Sequence, residues 1–294
     1  MTRFFTLCRP VLLLLAFVGW VNTMAETAPL QATPADTAHH ADSLRATAKK
    51  EIARKLISAA ENSTLDWKNQ YGFIKYNVEG NAPENRGYTA GIIGFTSRTH
   101  DMLALVEHYQ RTAPNNPLTP YLATLRKVNG TSSRHGLGQP FEKAWKEAAK
   151  DPLFIAAQNH ECDRLYFEPA VTQAQADGLR ELGQFAYFDA MVMHGPGTAP
   201  GSFGGIRAAA LKRAKPPSQG GNETAYLNAF LDARKAAMKT EQGHQDTTRV
   251  DTMQRRFLLA GNLSLKLPLV FKVYEDAYEI KASPAERGTL RASY

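Results

Sequence analysis

The chain has 294 residues, with 35 Lys and Arg against 28 Asp and Glu, a formal charge of +7 and two cysteines. That length is ample for a hydrophobic core, and two thiols cannot build a disulfide scaffold. The positive surplus does not read as a nucleic-acid surface, because basic residues are interspersed with acids and apolar residues, as in Lys49-Lys50-Glu51-Ile52-Ala53-Arg54-Lys55, the pattern of a solvated helix face.

Arg3 and Arg9 give a positive start, residues 11–18 an apolar core, and Thr23-Met24-Ala25 a small-residue cleavage pattern. Residues 1–25 are therefore expected to be a secretory signal, too short in its apolar run to span a bilayer. The mature chain is expected outside the cytoplasm, extracellular or, in a host with an outer membrane, periplasmic, with no membrane partner. Cleavage removes Arg3, Arg9 and Cys8, leaving a charge of +5 and Cys162 alone. In His160-Glu161-Cys162 the thiol has no second Cys or spaced His pair beside it. It reads as a buried, inert side chain, and no metal or cofactor is expected.

Residues 26–45 are rich in Ala, Thr and Pro and read as a disordered leader. Residues 46–294 are expected to form a single domain and a monomer. Ser43 is the expected cap of a first helix whose Ile52, Leu56 and Ala60 share one face. Glu61 falls at its end, and Asn62-Ser63 is its stop. Residues 77–87 are expected to be a loop, and glycine-punctuated residues 88–96 one or two short strands centred on Ile92-Ile93. Helices are expected around Met102 to Val106, over 118–128 and over 141–149. The longest is expected over 170–193, ended by His194-Gly195-Pro196-Gly197. A Gly-rich loop at 198–205, helices over 227–238 and 249–259, and a short extended run at 269–273 complete a mainly α (α+β) chain.

Two carboxylates on different elements, Glu61 and Glu84, suit acid/base cleavage of a glycosidic bond. At a helix C-terminus the dipole disfavours an ionised carboxylate, which suits Glu61 to the acid role. Arg86 lies two residues beyond Glu84 and favours its ionised form, and Thr89 is placed to hold a water. By spacing alone Glu79 serves the base role as well as Glu84. Other schemes lack their motifs. Ser202 in Pro200-Gly201-Ser202-Phe203-Gly204 is no nucleophile elbow, and neither a zinc-protease helix nor a dinucleotide fingerprint is present.

Glu61-Asn62-Ser63-Thr64-Leu65-Asp66-Trp67 and Arg86-Gly87-Tyr88-Thr89-Ala90-Gly91-Ile92-Ile93-Gly94-Phe95 resemble the active-site segments of the glycoside hydrolase family 46 chitosanases. So do Gln184-Phe185-Ala186-Tyr187-Phe188-Asp189, Met193-His194-Gly195-Pro196-Gly197, Ser202-Phe203-Gly204-Gly205-Ile206-Arg207 and Phe230-Leu231-Asp232-Ala233-Arg234-Lys235. The resemblance runs over residues 49–278. It implies a lysozyme-like two-lobed fold with a small β-sheet beside the cleft, and an endo-acting, inverting enzyme whose partner is chitosan. It places Glu61 on the general acid, Glu84 on the general base and Thr89 on the residue that orients water. The family's base is usually Asp, so Glu84 is a departure, and its loop is longer than usual. Arg86, Asp101 and His194 fall on substrate-binding positions, Asp101 on one that meets an amine. Asp189, Arg234, Glu241 and Arg249 fall on a buried charge network supporting the acid. Trp67 and Trp145 read as core rather than sugar platforms. The rival readings are a peptidoglycan or chitin hydrolase of lysozyme-like fold and an inactive chitosan-binding protein.

Overall fold

The computed structural model describes residues 43–78, 80, 85–241 and 245–282. The expected signal peptide and most of the expected leader lie outside these residues, as do Glu79 and Glu84. Residues 43–45, placed in the leader by composition, are instead packed. Leu44 is fully buried, its N–H donates to Gln184 Oε1 at 2.8 Å, and Arg45 pairs with Glu168 at 2.8 Å. One buried leucine and a specific ion pair outweigh the polar composition around them.

Helix α1 (Thr47–Asn62) buries Ile52, Leu56 and Ala60 together with Ala53, Ile57 and Ala59. Ser43 does not cap it. The helix starts after Ala46 with no side-chain cap, and the Ser43 hydroxyl accepts from Arg45 N–H instead. It ends where Ser63 turns left-handed (φ 52°) and returns its N–H to the Ser58 carbonyl, closing the last turn.

Strands β1 (Ile74–Tyr76), β2 (Tyr88–Ala90) and β3 (Phe95–Thr96) form an antiparallel sheet in that order, with Thr89 opposite Lys75 on one side and Thr96 on the other. Tyr88 and Ala90 face the core, so the two-residue period turns Thr89 to the opposite face. Ile92 and Ile93, expected at a strand centre, lie in the tight turn between β2 and β3 and are buried there. Helices α2 (Asp101–Thr112), α3 (Leu122–Val128), α4 (Gly138–Ala148) and α5 (Pro152–Cys162) complete this lobe, α2 packing on α5.

A π-helical turn at Asp163–Phe167 carries the rod on into α6 (Glu168–Ala176), which packs on α7 (Glu181–His194) in the second lobe. The single helix expected over 170–193 is thus two. Gly178 adopts φ +76°, a conformation strained for any L side chain, and a Cβ there would meet Pro217. Almost every residue of α7 is buried, which makes it the central helix, in contact with α1, α6 and α8 (Phe203–Leu211). Residues 198–202 of the expected loop precede α8 and residues 203–205 open it.

Helix α9 (Glu223–Thr240) packs on α8, capped by the Asn222 side chain on Ala225 N–H. Residues 249–259 start as a π-helical turn (Arg249–Gln254) and finish as α10 (Arg255–Leu259). The run at 269–273 is β4 (Leu269–Val273), paired with β5 (Asp276–Ile280) in a hairpin. One hydrophobic cluster runs through both lobes. Trp145 is fully buried in it, and Trp67 packs against its edge while donating to Glu51. Cys162 is fully buried with its Sγ accepting from Arg54, and burial pushes its thiol up to about 11, so it carries no thiolate chemistry.

Candidate active site

The end of α1 brings Glu61 to the sheet. Gly94, at φ +71° in the β2–β3 turn, has space for a Cβ only 3.1 Å from Thr89 Cγ2 and 4.0 Å from Glu61 Oε2. The absence of that side chain lets the strand face and the helix end share one hollow. Asn62 Nδ2 donates to the Ile92 carbonyl at 3.4 Å, and Tyr274, from the β4–β5 hairpin, donates to the Ala60 carbonyl at 3.1 Å. The helix end is therefore fastened on both sides of Glu61. The Thr89 hydroxyl is buried and has no hydrogen-bond partner among the described residues, so it is available to a water or a substrate oxygen.

Glu61 Oε1 accepts from Arg249 Nη2 at 2.7 Å, and the same nitrogen donates to Asp189 Oδ1 at 2.6 Å. Asp189, on the central helix, also accepts from Arg234 and, at 2.6 Å, from Gln254 Nε2. Arg234 Nε lies 3.5 Å from His194 Nε2, and His194 Nδ1 lies 3.5 Å from Glu241 Oε1. The four residues expected as a charge network are thus in contact with Glu61 as one chain. The π turn explains how one segment supplies two of its members. Its five-residue period sets Arg249 and Gln254 on one face, both bonded to Asp189.

Burial alone would raise the Asp189 carboxyl, but Arg234 and Arg249 overcome it and hold Asp189 at about 2. Burial also lowers the Arg249 guanidinium, yet Asp189 and Glu61 carry it above its ordinary value. His194, expected on the substrate side, has its side chain fully covered and links Arg234 to Glu241 instead. Burial, with Arg234 and Arg249 adding to it, pushes His194 down to about 4 against the pull of Glu241. It is a neutral acceptor at neutral pH.

Arg86 Nη2 donates to the Met193 carbonyl at 3.2 Å and so ties the strand loop to the end of α7. Asp101 is the first residue of α2 and only 6 % exposed. Its Oδ1 accepts from Thr96 N–H, Thr99 Oγ1 and Met102 N–H at 2.8–2.9 Å, while its Oδ2 accepts, among the described residues, only from Tyr166 Oη at 2.7 Å. Burial raises the Asp101 carboxyl, and these four donors oppose it. Asp101 and Tyr166 therefore form a group of their own, distinct from the Glu61 chain. Glu84 and its rival Glu79 lie outside the described residues. The foot of their loop is fixed, since Asn77 N–H donates to Gly87 O at 2.8 Å and Arg98 Nη1 to Asn85 O at 2.9 Å.

Sequence reasoning missed Tyr166, Gln254 and Tyr274. Gln254 had a readable signal only if the π turn were known, and the two tyrosines sit in segments with no distinctive pattern.

The family model for glycosyl hydrolase family 46 matches residues 55–269. A chitosanase from Streptomyces sp. is 57% identical over 273 residues, covering 93% of each chain. One from Bacillus subtilis is 34% identical over 75% of this chain and 80% of its own. Among solved structures, a chitosanase crystallised with substrate is 53% identical with a TM-score of 0.79, covering 82% of this chain and 99% of that one. The Gynuella sunshinyii chitosanase in complex with chitotetraose is 30% identical with a TM-score of 0.72, covering 80% and 98%. The helical two-lobed architecture with its small sheet is the lysozyme-like fold of these neighbours. A fold, a helix-end carboxylate chained to buried arginines, and similarity over most of the length converge: the chain belongs to glycosyl hydrolase family 46.

Proposed function

We propose that this chain is a secreted endo-chitosanase that hydrolyses β-1,4 linkages between glucosamine units by a single inverting displacement. The observation that carries the reading is the setting of Glu61. One carboxylate oxygen is held by Arg249, the other lies on the side of Gly94, where the Thr89 methyl also packs, and the Thr89 hydroxyl is buried with no hydrogen-bond partner among the described residues. Glu61 is the general acid and protonates the glycosidic oxygen as the C1–O bond breaks. Glu84 is the general base and takes a proton from the water that attacks C1 from the opposite face. Thr89 shares that water, holding its lone pair toward C1. After the step Glu61 is ionised and Glu84 protonated, and exchange with solvent restores both. Arg249 fixes the position of the acid, and Asp189 keeps that cation from being an unpaired buried charge.

Chitosan is a polycation and the mature chain is net positive, so recognition rests on local carboxylates. Asp101 suits this part. An ionised carboxylate has about four acceptor sites, and among the described residues Oδ2 uses one of its own, leaving a lone pair for a substrate amine. An acetylated sugar has no such amine, which sets this reading apart from a chitin or peptidoglycan hydrolase. Export rests on the signal pattern of residues 1–25.

The test is release of reducing ends from chitosan, chitin and bacterial cell walls, with NMR of the fresh chitosan hydrolysate. Cleavage of chitosan with the α-anomer appearing first is expected. The β-anomer first would mean retention and remove Glu84 from the base role. Binding of glucosamine oligomers without cleavage would make the protein a lectin-like binder.

A further inference from the structure

We propose that His108, His160 and Glu161 form a binding site for a borderline divalent transition-metal ion of the zinc class, on the face where α2 and α5 pack. His160-Glu161-Cys162 offers no metal spacing by itself. The fold changes this by bringing His108 from α2 against it. His108 Nδ1 lies 2.9 Å and His160 Nδ1 3.2 Å from Glu161 Oε1, and the three ligand atoms lie within 4.8 Å of one another. The two imidazole rings face each other with centroids 4.2 Å apart. Around a tetrahedral ion with bonds of about 2.0–2.1 Å, neighbouring ligand atoms stand about 3.3 Å apart. Two of the three separations are already close to that value.

The carboxylate is set in advance. Glu161 is 2 % exposed, and its Oε2 is held by Arg164 Nε at 3.0 Å, which leaves Oε1 to the histidines. Cys162 is no ligand, because its Sγ points to Arg54 in the core. The imidazole of His160 is half exposed and lines an open hollow with Arg164 and Glu168, which gives an ion its way in and leaves the fourth coordination position to water. To take an ion, each imidazole would give up its Nδ1–H contact with Glu161 Oε1, carry its proton on Nε2 and present the Nδ1 lone pair. Arg164 pairs with Glu161 and the charge of Arg111 acts on His108, and these two cations set the affinity well below that of an all-anionic site.

A bound ion would clamp α2, which begins at Asp101, to α5, whose Gln158 holds the Ile92 N–H at 3.2 Å and the Tyr71 carbonyl at 2.9 Å. The site would therefore brace the lobe that carries the sheet, independently of the reaction at Glu61.

The test titrates the untagged, metal-stripped mature protein with Zn²⁺ by calorimetry at pH 7.5, beside His160→Gln and His108→Gln. His160→Gln alters an exposed side chain and leaves the fold in place. One ion per chain with Kd below about 100 μM is expected, weakened at least about tenfold in each variant. A thermal midpoint that rises by several degrees with Zn²⁺ in the wild type, and not in His160→Gln, is the companion result. Wild-type binding weaker than about 100 μM, or equal binding in His160→Gln, overturns the proposal and leaves Glu161 as an acceptor shared by two imidazoles.

Discussion

Replacing Asp189 with Asn tests whether one buried carboxylate holds the acid's support together. Asp189 is fully buried and is the shared partner of Arg234 and Arg249, themselves 0 % and 4 % exposed. Holding the carboxyl at about 2 instead of the ordinary ~3.9 corresponds to about 2–3 kcal/mol of stability at neutral pH. That figure counts only the ionised form against the protonated one. The amide also leaves two guanidiniums short of their counter-charge, for which breaking a buried pair costs about 3–5 kcal/mol. The second figure is the better guide, because Asn keeps shape but supplies no charge. For a domain of this size it lowers the thermal midpoint by about 6–20 °C. Urea unfolding of both proteins at pH 7 and at steps down to pH 2 is the assay. The folded-state pKa is depressed, so the wild-type advantage is complete above the unfolded value near ~4 and drains away as pH falls through about 2. A difference below about 1 kcal/mol at pH 7, or one that does not shrink with acid, would show that Asp189 does not hold these cations in place.

Glu61→Gln should lower chitosan hydrolysis by about 10²–10⁴-fold while the protein stays folded, and near-normal turnover would remove Glu61 from the mechanism. Glu84→Gln should abolish turnover and Glu84→Asp keep it, while Glu79→Gln changes it little; kinetics showing the reverse ranking would transfer the base to Glu79. His194 is held neutral at about 4, so folding should lose about 3 kcal/mol as pH falls from ~6.5 toward 4. Urea unfolding of His194→Gln, which cannot be charged, should lack this acid-side loss, and an unaltered profile would place the titration elsewhere.

Local patterning made most of the helices legible. Ile52, Leu56 and Ala60 marked the buried face of α1, and Asn62-Ser63 its stop, because helix periodicity and a left-handed cap are short-range properties. The errors share one cause, tertiary context. Ser43 looked like a cap but is buried under Gln175, Gly178 divided what apolar spacing alone made one helix, and Ile92-Ile93 proved to be a buried turn. Helix α5 went unread because its apolar residues favour no single face. The resemblance singled out Glu61 and Thr89 as candidates, whereas their joint approach to Gly94 is a matter of packing. The role of His194 as a link between Arg234 and Glu241, and the partnership of Asp101 with Tyr166, depend on residues dozens of positions apart that no pattern connects.

The bond between Arg249 and Glu61 joins residues 188 positions apart, and that between Tyr274 and Ala60 spans 214. Closing loops of that length is a late event for a growing or refolding chain. The helix that carries Glu61 therefore waits, without its guanidinium and without its hairpin clasp, until almost the whole chain has been made and docked. In the proposed mechanism, chemistry at Glu61 is thereby coupled to completion of the molecule. A chain cut short before residue 249 would retain every reactive group assigned to the cleavage step and still be unable to hold the first of them in place.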